Sequence, residues 1–296
     1  MGLGWQEEMK STPAARESGD MSLKDYMRKV RASRVGAYLN VPRRFVMAAR
    51  VVGQPAARVV PWLFSSKEDT NLTYELAELN TLYLTYFLSH ATGTPVAVVQ
   101  SYIDEILNDD DLKSHIITLT RSGPYRSYAD PRCDFGRRAG WYALVRILKP
   151  RVVIETGIDK GFGSVVLCAA LLRNGCGSYY GTDINPRAGY LLKGKYAAAG
   201  KILYGDSIES LESFSEEIDL FVNDSDHSAD YEMREYKTVA GKLSRRAIVV
   251  GDNSHVTRSL VAWSALHSRP FLFWREQPKN HWYPGGGIGL SLPPAI

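Results

Sequence analysis

An acid, two hydroxyl residues and two glycines lie between an apolar run and a helical pattern. In order they are Glu155, Thr156, Gly157, Gly161 and Ser164. A strand, a glycine turn and a helix in this order present backbone N–H groups to a nucleotide-like ligand. Because Glu155 accepts hydrogen bonds but repels phosphate, the pattern favours a cofactor that lacks phosphate and brings its own donors. The alternative is a tight strand–helix turn without a ligand.

The two glycines of this turn have separate expected roles. Gly157 is expected to let the backbone approach the ligand, and Gly161 to permit the turn into the helix.

A second acidic strand end follows 28 residues after Glu155. The segment Ser178–Asp183 reads as a strand that ends on Asp183, with Ile184 next to it. A carboxylate there can accept hydrogen bonds from both hydroxyls of a ribose. Asp183 could instead cap the following helix, but an acid at each of two successive strand ends favours the ribose interpretation.

The third strand end carries Asp206 and Ser207 after Gly205. An acid and a hydroxyl at this position could meet the amino group and a ring nitrogen of adenine. A simple helix cap explains the same residues equally well.

Polar residues that suit a metal follow the fourth and fifth strands. They are Asp224, Asp252 and Asn253, and His227 comes three residues after Asp224. Two carboxylates and an amide oxygen are ligands that Mg²⁺ prefers, and a histidine beside them can act as a general base. Capping of the next helices is the alternative, and His255 is a weaker candidate for the base.

The elements that position these residues alternate from Arg151 onward, as in a parallel sheet covered on both faces. Strands are predicted at 152–155, 178–183, 201–204, 218–223 and 247–251, and helices at 164–173, 187–199, 207–214, 229–243 and 256–267. The last two apolar runs, 271–274 and 288–292, are joined by a loop too short for a crossover helix, which predicts an antiparallel hairpin.

Three regions are expected along the chain. Residues 1–20 read as a flexible tail, and residues 21–135 as a helical region that serves as a lid, in acceptor selection or in dimerisation. Residues 136–296 would form the cofactor-binding domain. Helical spacing or caps predict helices at 72–83, 96–107 and 136–148. Tyr125 and Tyr128 could line an entrance, whereas Trp141 and Tyr142 are expected to pack in the core.

Composition limits the classes of function. A net charge of +4 on 296 residues gives no case for nucleic acid. Three cysteines without a CxxC pair argue against a disulfide framework or a zinc site. The sequence shows neither a signal peptide nor an apolar run long enough to span a bilayer, so a cytoplasmic protein without a membrane partner is expected.

Five motifs in order resemble those of class I S-adenosylmethionine-dependent methyltransferases. The similarity is greatest to the catechol-type and the macrocin-type antibiotic-sugar O-methyltransferases, and it covers about residues 136–292. The motifs are 155–164, 183–186, 205–207, 224–228 and 252–253. In the catechol-type enzymes a lysine stands as base where this chain has His227, and a serine often stands where it has Gly163.

The resemblance implies a fold, a cofactor and a metal. The fold is a Rossmann-like α/β sheet, mostly parallel, with an antiparallel terminal hairpin. S-adenosylmethionine would be bound by the first three motifs and by Asp224, and Mg²⁺ by Asp224, Asp252 and Asn253. Asp224 and His227 would be catalytic.

The expected activity is therefore transfer of a methyl group to a hydroxyl of a small molecule such as a sugar, polyol or phenol, by a protein that could be a homodimer. A metal-independent N- or O-methyltransferase and a non-catalytic cofactor-binding accessory protein are the alternatives.

Overall fold

The computed structural model describes residues 22–68 and 72–294, and of residues 34 and 35 it describes the backbone alone. Seven strands form one sheet in this part of the chain. The strands are β1 (Val152–Thr156), β2 (Ser178–Asp183), β3 (Gly200–Tyr204), β4 (Ile218–Asn223), β5 (Leu243–Asp252), β6 (Phe271–Arg275) and β7 (Gly287–Ser291). Their order in the sheet is β3-β2-β1-β4-β5-β7-β6. The first five strands are parallel, and β7 is antiparallel to both β5 and β6. The predicted Rossmann-like sheet with a terminal hairpin is confirmed.

The register aligns the strand ends that carry the predicted site. Glu155 on β1 lies opposite Gly181 on β2 and Val222 on β4. On the far side of β4, Asn223 pairs with Gly251 of β5, so Asp224 and Asp252 follow adjacent strands at the same edge. In a parallel sheet this carboxyl edge is where ligands bind.

The chain divides into two compact units, Met1–Gln54 and Pro55–Ile296. The first unit holds α1 (Leu23–Ala32), α2 (Arg34–Leu39) and the first half of α3 (Val41–Ser65). Ser22 and Ser33 cap α1 and α2, because their hydroxyls accept hydrogen bonds from the backbone N–H of Asp25 and Gly36. The predicted tail at residues 1–20 lies outside the described residues.

The second unit contains the sheet and eight more α-helices among its described residues. They are α4 (Glu78–Thr92), α5 (Val96–Leu107), α6 (Asp110–Ser122), α7 (Arg138–Leu148), α8 (Phe162–Asn174), α9 (Ser207–Ser213), α10 (Ala229–Val239) and α11 (Ser259–Leu266). Buried Trp141 and Tyr142 belong to the core on one face of the sheet, and Tyr236 and Trp263 to the core on the other. Trp141 and Tyr142 therefore pack in the core, as predicted.

The helix predicted at 187–199 is wrong. Only a 3₁₀ turn forms there, at Gly194–Ala199. Gly189 and Gly194 have φ values of +75° and +58°, which an α-helix does not permit. Gly189 packs against Gly161 and Ile202, so contacts distant in sequence hold this loop in place.

The predicted helix at 72–83 begins later, at Glu78. Before it, the backbone pairs with the loop that follows β6. Leu76 bridges Pro278, and the Ala77 N–H donates to the Gln277 carbonyl at 2.9 Å. Tertiary pairing thus replaces the first turn that the sequence spacing suggests.

Candidate functional site

A cavity of about 650 Å³ opens at the carboxyl edge of the sheet. The ends of β1 to β4 form its floor, and residues from α6 and from the loop between α6 and α7 form a wall. Glu155, Asp183, Asp206 and Asp224 all line it, so the acids of the first four predicted motifs share one chamber.

Gly157 and Gly161 make the turn above β1 possible. Their φ values are +77° and +84°. A Cβ on Gly157 would lie 2.2 Å from the Asp224 carbonyl oxygen, and one on Gly161 would lie 2.9 Å from Gly189 Cα. Gly157 lines the cavity, and its lack of a side chain also lets the β1 turn pass close to the backbone that follows β4.

Glu155 is buried at the cavity floor. Its Oε2 accepts hydrogen bonds from the hydroxyls of Ser164, at 3.0 Å, and Tyr179. Burial, with a further contribution from the Asp224 charge, raises the pKa of Glu155 to about 8. At neutral pH the Glu155 carboxyl therefore holds a proton and can donate a hydrogen bond into the cavity.

Two predicted cofactor residues lie behind this floor. Thr156 and Ser164 are fully buried and do not line the cavity. The Ser164 hydroxyl orients Glu155, and the Thr156 side chain lies within the sheet.

Asp183 occupies the position expected of a ribose partner. Its Oδ2 accepts from the Asp159 N–H at 2.9 Å and its Oδ1 from the Asn185 N–H at 2.8 Å. A carboxylate oxygen has two acceptor sites, so each oxygen keeps one for a ligand. Ile184, also predicted to bind cofactor, is 79% exposed and lies at the rim of the cavity.

Asp206 caps α9, which is one of the two roles that the sequence leaves open. Its Oδ1 caps α9 by accepting from the Ile208 N–H at 2.8 Å, and its Oδ2 accepts from the Tyr231 hydroxyl at 2.9 Å. The Ser207 hydroxyl lies 2.9 Å from the same Tyr231 oxygen. These side chains form a polar end wall beside Asp183 that suits a heterocycle.

Asp224, His227 and Asp252 bring one ligand atom each within 4.8 Å of one another. His227 Nε2 lies 3.6 Å from Asp224 Oδ1, and its Nδ1 lies 3.4 Å from Glu232 Oε1. Hydrogen bonding first to Asp224 and then to Glu232 raises the pKa of His227 to about 10. Burial and the nearby Asp252 raise the pKa of Asp224.

Asn253 completes this edge. It follows β5 with a left-handed φ of +51°, and its Nδ2 lies 3.2 Å from His227 Nε2. Its Oδ1 is buried and has no hydrogen-bond partner among the described residues.

Arg137, just before α7, is the main residue of this edge that sequence reasoning missed. Its guanidinium binds both oxygens of Asp252, and Nη1 donates to Glu276 Oε1 at 2.9 Å. The Tyr74 hydroxyl donates to the same Glu276 oxygen at 2.6 Å. Arg137 holds the pKa of Asp252 below its usual range. Buried acids need a cation beside them, but the sequence does not tell which acids are buried or which arginine lies near them. The role of Arg137 is therefore found only once the fold is known.

Of three further residues near the site, only Arg138 lines the cavity. Arg138 lines the cavity, with Nη2 3.9 Å from Asp224 Oδ2. The Tyr125 hydroxyl accepts from Asn185 Nδ2 at 2.9 Å and so supports the loop after β2. Tyr128 is 52% exposed and does not line the cavity.

Comparison with known proteins agrees with this geometry. Residues 154–254, which carry all the strand-end motifs from β1 to β5, match the family model described as a methyltransferase domain. A search of curated proteins gave no match.

Similarity to solved structures bears on the fold of this sheet alone. A putative O-methyltransferase from Klebsiella pneumoniae is 14% identical, with a TM-score of 0.50, over 67% of this chain and 97% of that one. TomG, an O-methyltransferase from Streptomyces achromogenes in complex with SAM, is 14% identical over 64% and 91% of the two chains, with a TM-score of 0.47. An O-methyltransferase from Bacillus cereus in complex with SAH is 13% identical over 69% and 99%, also with a TM-score of 0.47.

None of the helices within 22–68 and 72–294 has the length and apolar character that crossing a membrane requires.

Proposed function

We propose that the protein transfers a methyl group from S-adenosylmethionine to a hydroxyl oxygen of a small sugar, polyol or phenol. One observation carries the proposal: Asp183 and the group of Asp224 and His227 line the same cavity of a methyltransferase domain. The first suits the nucleoside of the methyl donor, and the second suits an acceptor that must lose a proton.

The proposed binding of S-adenosylmethionine is supported by oxygen atoms that can still accept hydrogen bonds. Each Asp183 oxygen has one acceptor site left for a ribose hydroxyl, and Asp206, Ser207 and Tyr231 offer polar atoms to adenine. The sulfonium of the donor is a cation, and Asp224, whose backbone lies against Gly157, lines the same cavity. An acid at this point favours a positively charged donor.

The acceptor half fits a divalent cation. Asp224 and Asp252 are close enough for their charges to oppose one another, and the buried Asn253 Oδ1 lacks a partner among the described residues. Asp224 and Asn253 would hold the cation, with Asp252 contributing a remaining acceptor site on one of its oxygens. When bound, Mg²⁺ lowers the pKa of a hydroxyl that it contacts.

His227 is the proposed base, and it can accept a proton only when its imidazole ring is neutral. In the arrangement described, Asp224 and Glu232 keep the imidazole protonated at neutral pH. His227 can accept the acceptor's proton only after Asp224 is engaged by another cation and ceases to raise the histidine pKa. The carboxylate of Glu232 would then orient the neutral ring through Nδ1.

A second candidate, a methyltransferase that needs no metal, rests on Arg137. Both oxygens of Asp252 already accept hydrogen bonds from the guanidinium, which neutralises one of the two acids. In this variant of the proposal, Asp224 and His227 position the acceptor directly.

The test combines cofactor binding with turnover. S-adenosylmethionine binding is measured by calorimetry, and methyl transfer is measured on panels of sugars, polyols and phenols with and without a chelator. We expect Asp224→Asn to weaken cofactor binding by about tenfold, because the charge that favours the cationic donor is lost, and to reduce transfer at least about a hundredfold. Asp230→Asn is the matched control, because Asp230 lies in α10, is exposed and does not line the cavity.

Three outcomes separate the possibilities. Full methyl transfer in the presence of a chelator excludes a role for the metal and favours the methyltransferase that needs no metal. Binding without transfer to any acceptor selects a non-catalytic accessory protein, and absence of binding removes both methyltransferase proposals.

A further inference from the structure

Residues 22–54, the described part of the first unit, are far more basic than the rest of the chain. Eight of the 36 Lys and Arg residues lie in it, against one of the 32 acids, so the rest of the chain carries more acids than bases. The one acid, Asp25, accepts a hydrogen bond from the Ser22 hydroxyl at 2.7 Å. Among the described side chains of this unit, no Lys or Arg forms an ion pair with an acid.

The same unit exposes an apolar stripe. On α1, Leu23, Tyr26 and Met27 are spaced three and four residues apart and lie on one face of the helix. On α3, Val41, Phe45 and Val52 share a face, and Phe45 and Val52 are 70% and 66% exposed. Neither helix has a buried residue. An exposed apolar area of this extent is typical of a binding surface.

Two basic residues of α3 lie opposite the apolar stripe, and the exposed Val46 and Met47 flank them. At 100° per residue, Arg43 and Arg50 lie on the side of α3 opposite Val41 and Val52. All ten residues from Val41 to Arg50 are exposed, so both sides of the helix are open to a partner. A basic face with an apolar face opposite is the pattern of helices that lie in the surface of a membrane.

We propose that the first unit binds the surface of an anionic phospholipid membrane, with the apolar faces of α1 and α3 at the level of the headgroups and the basic side chains against the lipid phosphates. A second copy of the chain is a poorer partner, because it would bring two strongly basic units together. A nucleic acid would match the charge but leaves the apolar stripe without a role. The proposal needs no spanning helix, and it replaces the expectation from composition that the chain has no membrane partner.

The test is flotation of the full-length protein with vesicles. Vesicles of phosphatidylcholine alone are compared with vesicles that also contain phosphatidylglycerol. We expect binding only to the anionic vesicles, and release at about 1 M salt, where the Debye length is about 3 Å.

Two pairs of substitutions separate the charge from the apolar stripe. Arg43→Glu with Arg50→Glu should weaken binding at least about 30-fold, given roughly 1 kcal/mol for each basic residue. Phe45→Ser with Val52→Ser should weaken it on the order of a hundredfold. The matched controls are Arg234→Glu with Lys237→Glu on α10, and Val256→Ser with Leu266→Ser, all of which change exposed residues of the second unit.

Folding and the rival partners are measured on the same variants. Circular dichroism and S-adenosylmethionine binding should match those of the unsubstituted protein, which excludes unfolding as the cause of lost flotation. Equal binding to neutral and anionic vesicles, or no binding to either, overturns the proposal. The surface would instead bind a second copy if three results come together. The unsubstituted protein binds no vesicles, it is a dimer in light scattering, and Phe45→Ser with Val52→Ser converts it to a monomer. The surface would instead bind nucleic acid if the protein binds RNA but no vesicles, and if Phe45→Ser with Val52→Ser keeps the RNA binding.

Discussion

Replacement of Arg137 by methionine should destabilise the second unit severely. The guanidinium makes two hydrogen bonds to Asp252 and one to Glu276, and all three side chains are buried. Methionine keeps the length of the side chain but leaves two carboxylates without a cation. Breaking a buried pair in this way costs about 3–5 kcal/mol, which corresponds to a fall in melting temperature of roughly 10 °C for a unit of this size.

The assay is thermal unfolding followed by tryptophan fluorescence, with Arg151→Met as the matched control. Arg151 also pairs with an acid, Glu217, at 2.9 Å, but its side chain is 74% exposed. An exposed pair contributes less than about 1 kcal/mol, so the control should shift the melting temperature by at most a few degrees. Combining Arg137→Met with Asp252→Asn should recover at least about 1 kcal/mol, because it removes one uncompensated charge.

The pH dependence provides an independent check. Arg137 lowers the pKa of Asp252 in the folded protein, so this pair stabilises the fold above the ordinary aspartate pKa, and the stabilisation is lost as pH falls through the lowered value. The difference between the unsubstituted protein and Arg137→Met should therefore shrink in acid. Equal shifts for Arg137→Met and Arg151→Met at neutral pH would refute the structural role given to Arg137.

Three further predictions concern the glycine turn and the cofactor. Asp183→Asn should weaken S-adenosylmethionine binding about 10- to 100-fold by calorimetry, and an unchanged affinity would remove Asp183 from the cofactor site. Because burial raises the pKa of Glu155 to about 8, its stabilising effect is complete below the unfolded-state pKa near 4.5 and is lost as pH rises through 8. Glu155→Gln should abolish that decline in melting temperature between about pH 5 and 8, whereas a parallel decline in both proteins contradicts the assignment. Gly157→Ala should cost more than about 3 kcal/mol in unfolding free energy, because its Cβ would meet the Asp224 carbonyl. Gly241→Ala, where a Cβ meets nothing within 4 Å, should change it by less than about 1 kcal/mol.

Local sequence predicts the strands of this fold well. The bounds of β2 and β4 agree with the prediction residue for residue, because an apolar or β-branched run ends in each case on a polar residue that starts a turn. The antiparallel hairpin also follows from local information, since the thirteen residues between the two apolar runs, 275–287, leave no room for a crossover helix. Once the strands are predicted, the acids at their carboxyl ends are identified as well. In a parallel sheet these ends lie at one edge, so the acids are predicted to lie close together.

What the sequence does not predict depends on contacts between distant segments. The loop at 187–199 has helical composition, but the packing of Gly189 against Gly161 determines its path. Arg137 has no local signature, because its partners Asp252 and Glu276 lie 115 and 139 residues away. The individual roles of the predicted cofactor and metal residues stay predictions until the binding experiments are done.

The partners of Arg137 also determine when the acceptor side of the cavity can form. Tyr74 and Glu276 are 202 residues apart in sequence, and the Gly286 N–H donates to the same Glu276 oxygen. Closing such long loops is slow, because chain entropy is lost before the contacts are gained. A growing chain folds from its N-terminus, so β1 to β4 and the glycine turn can assemble while Glu276 is still unmade. The part of the cavity that β1 to β4 form can therefore assemble during synthesis, whereas the edge that holds Asp252 must wait for the last hairpin.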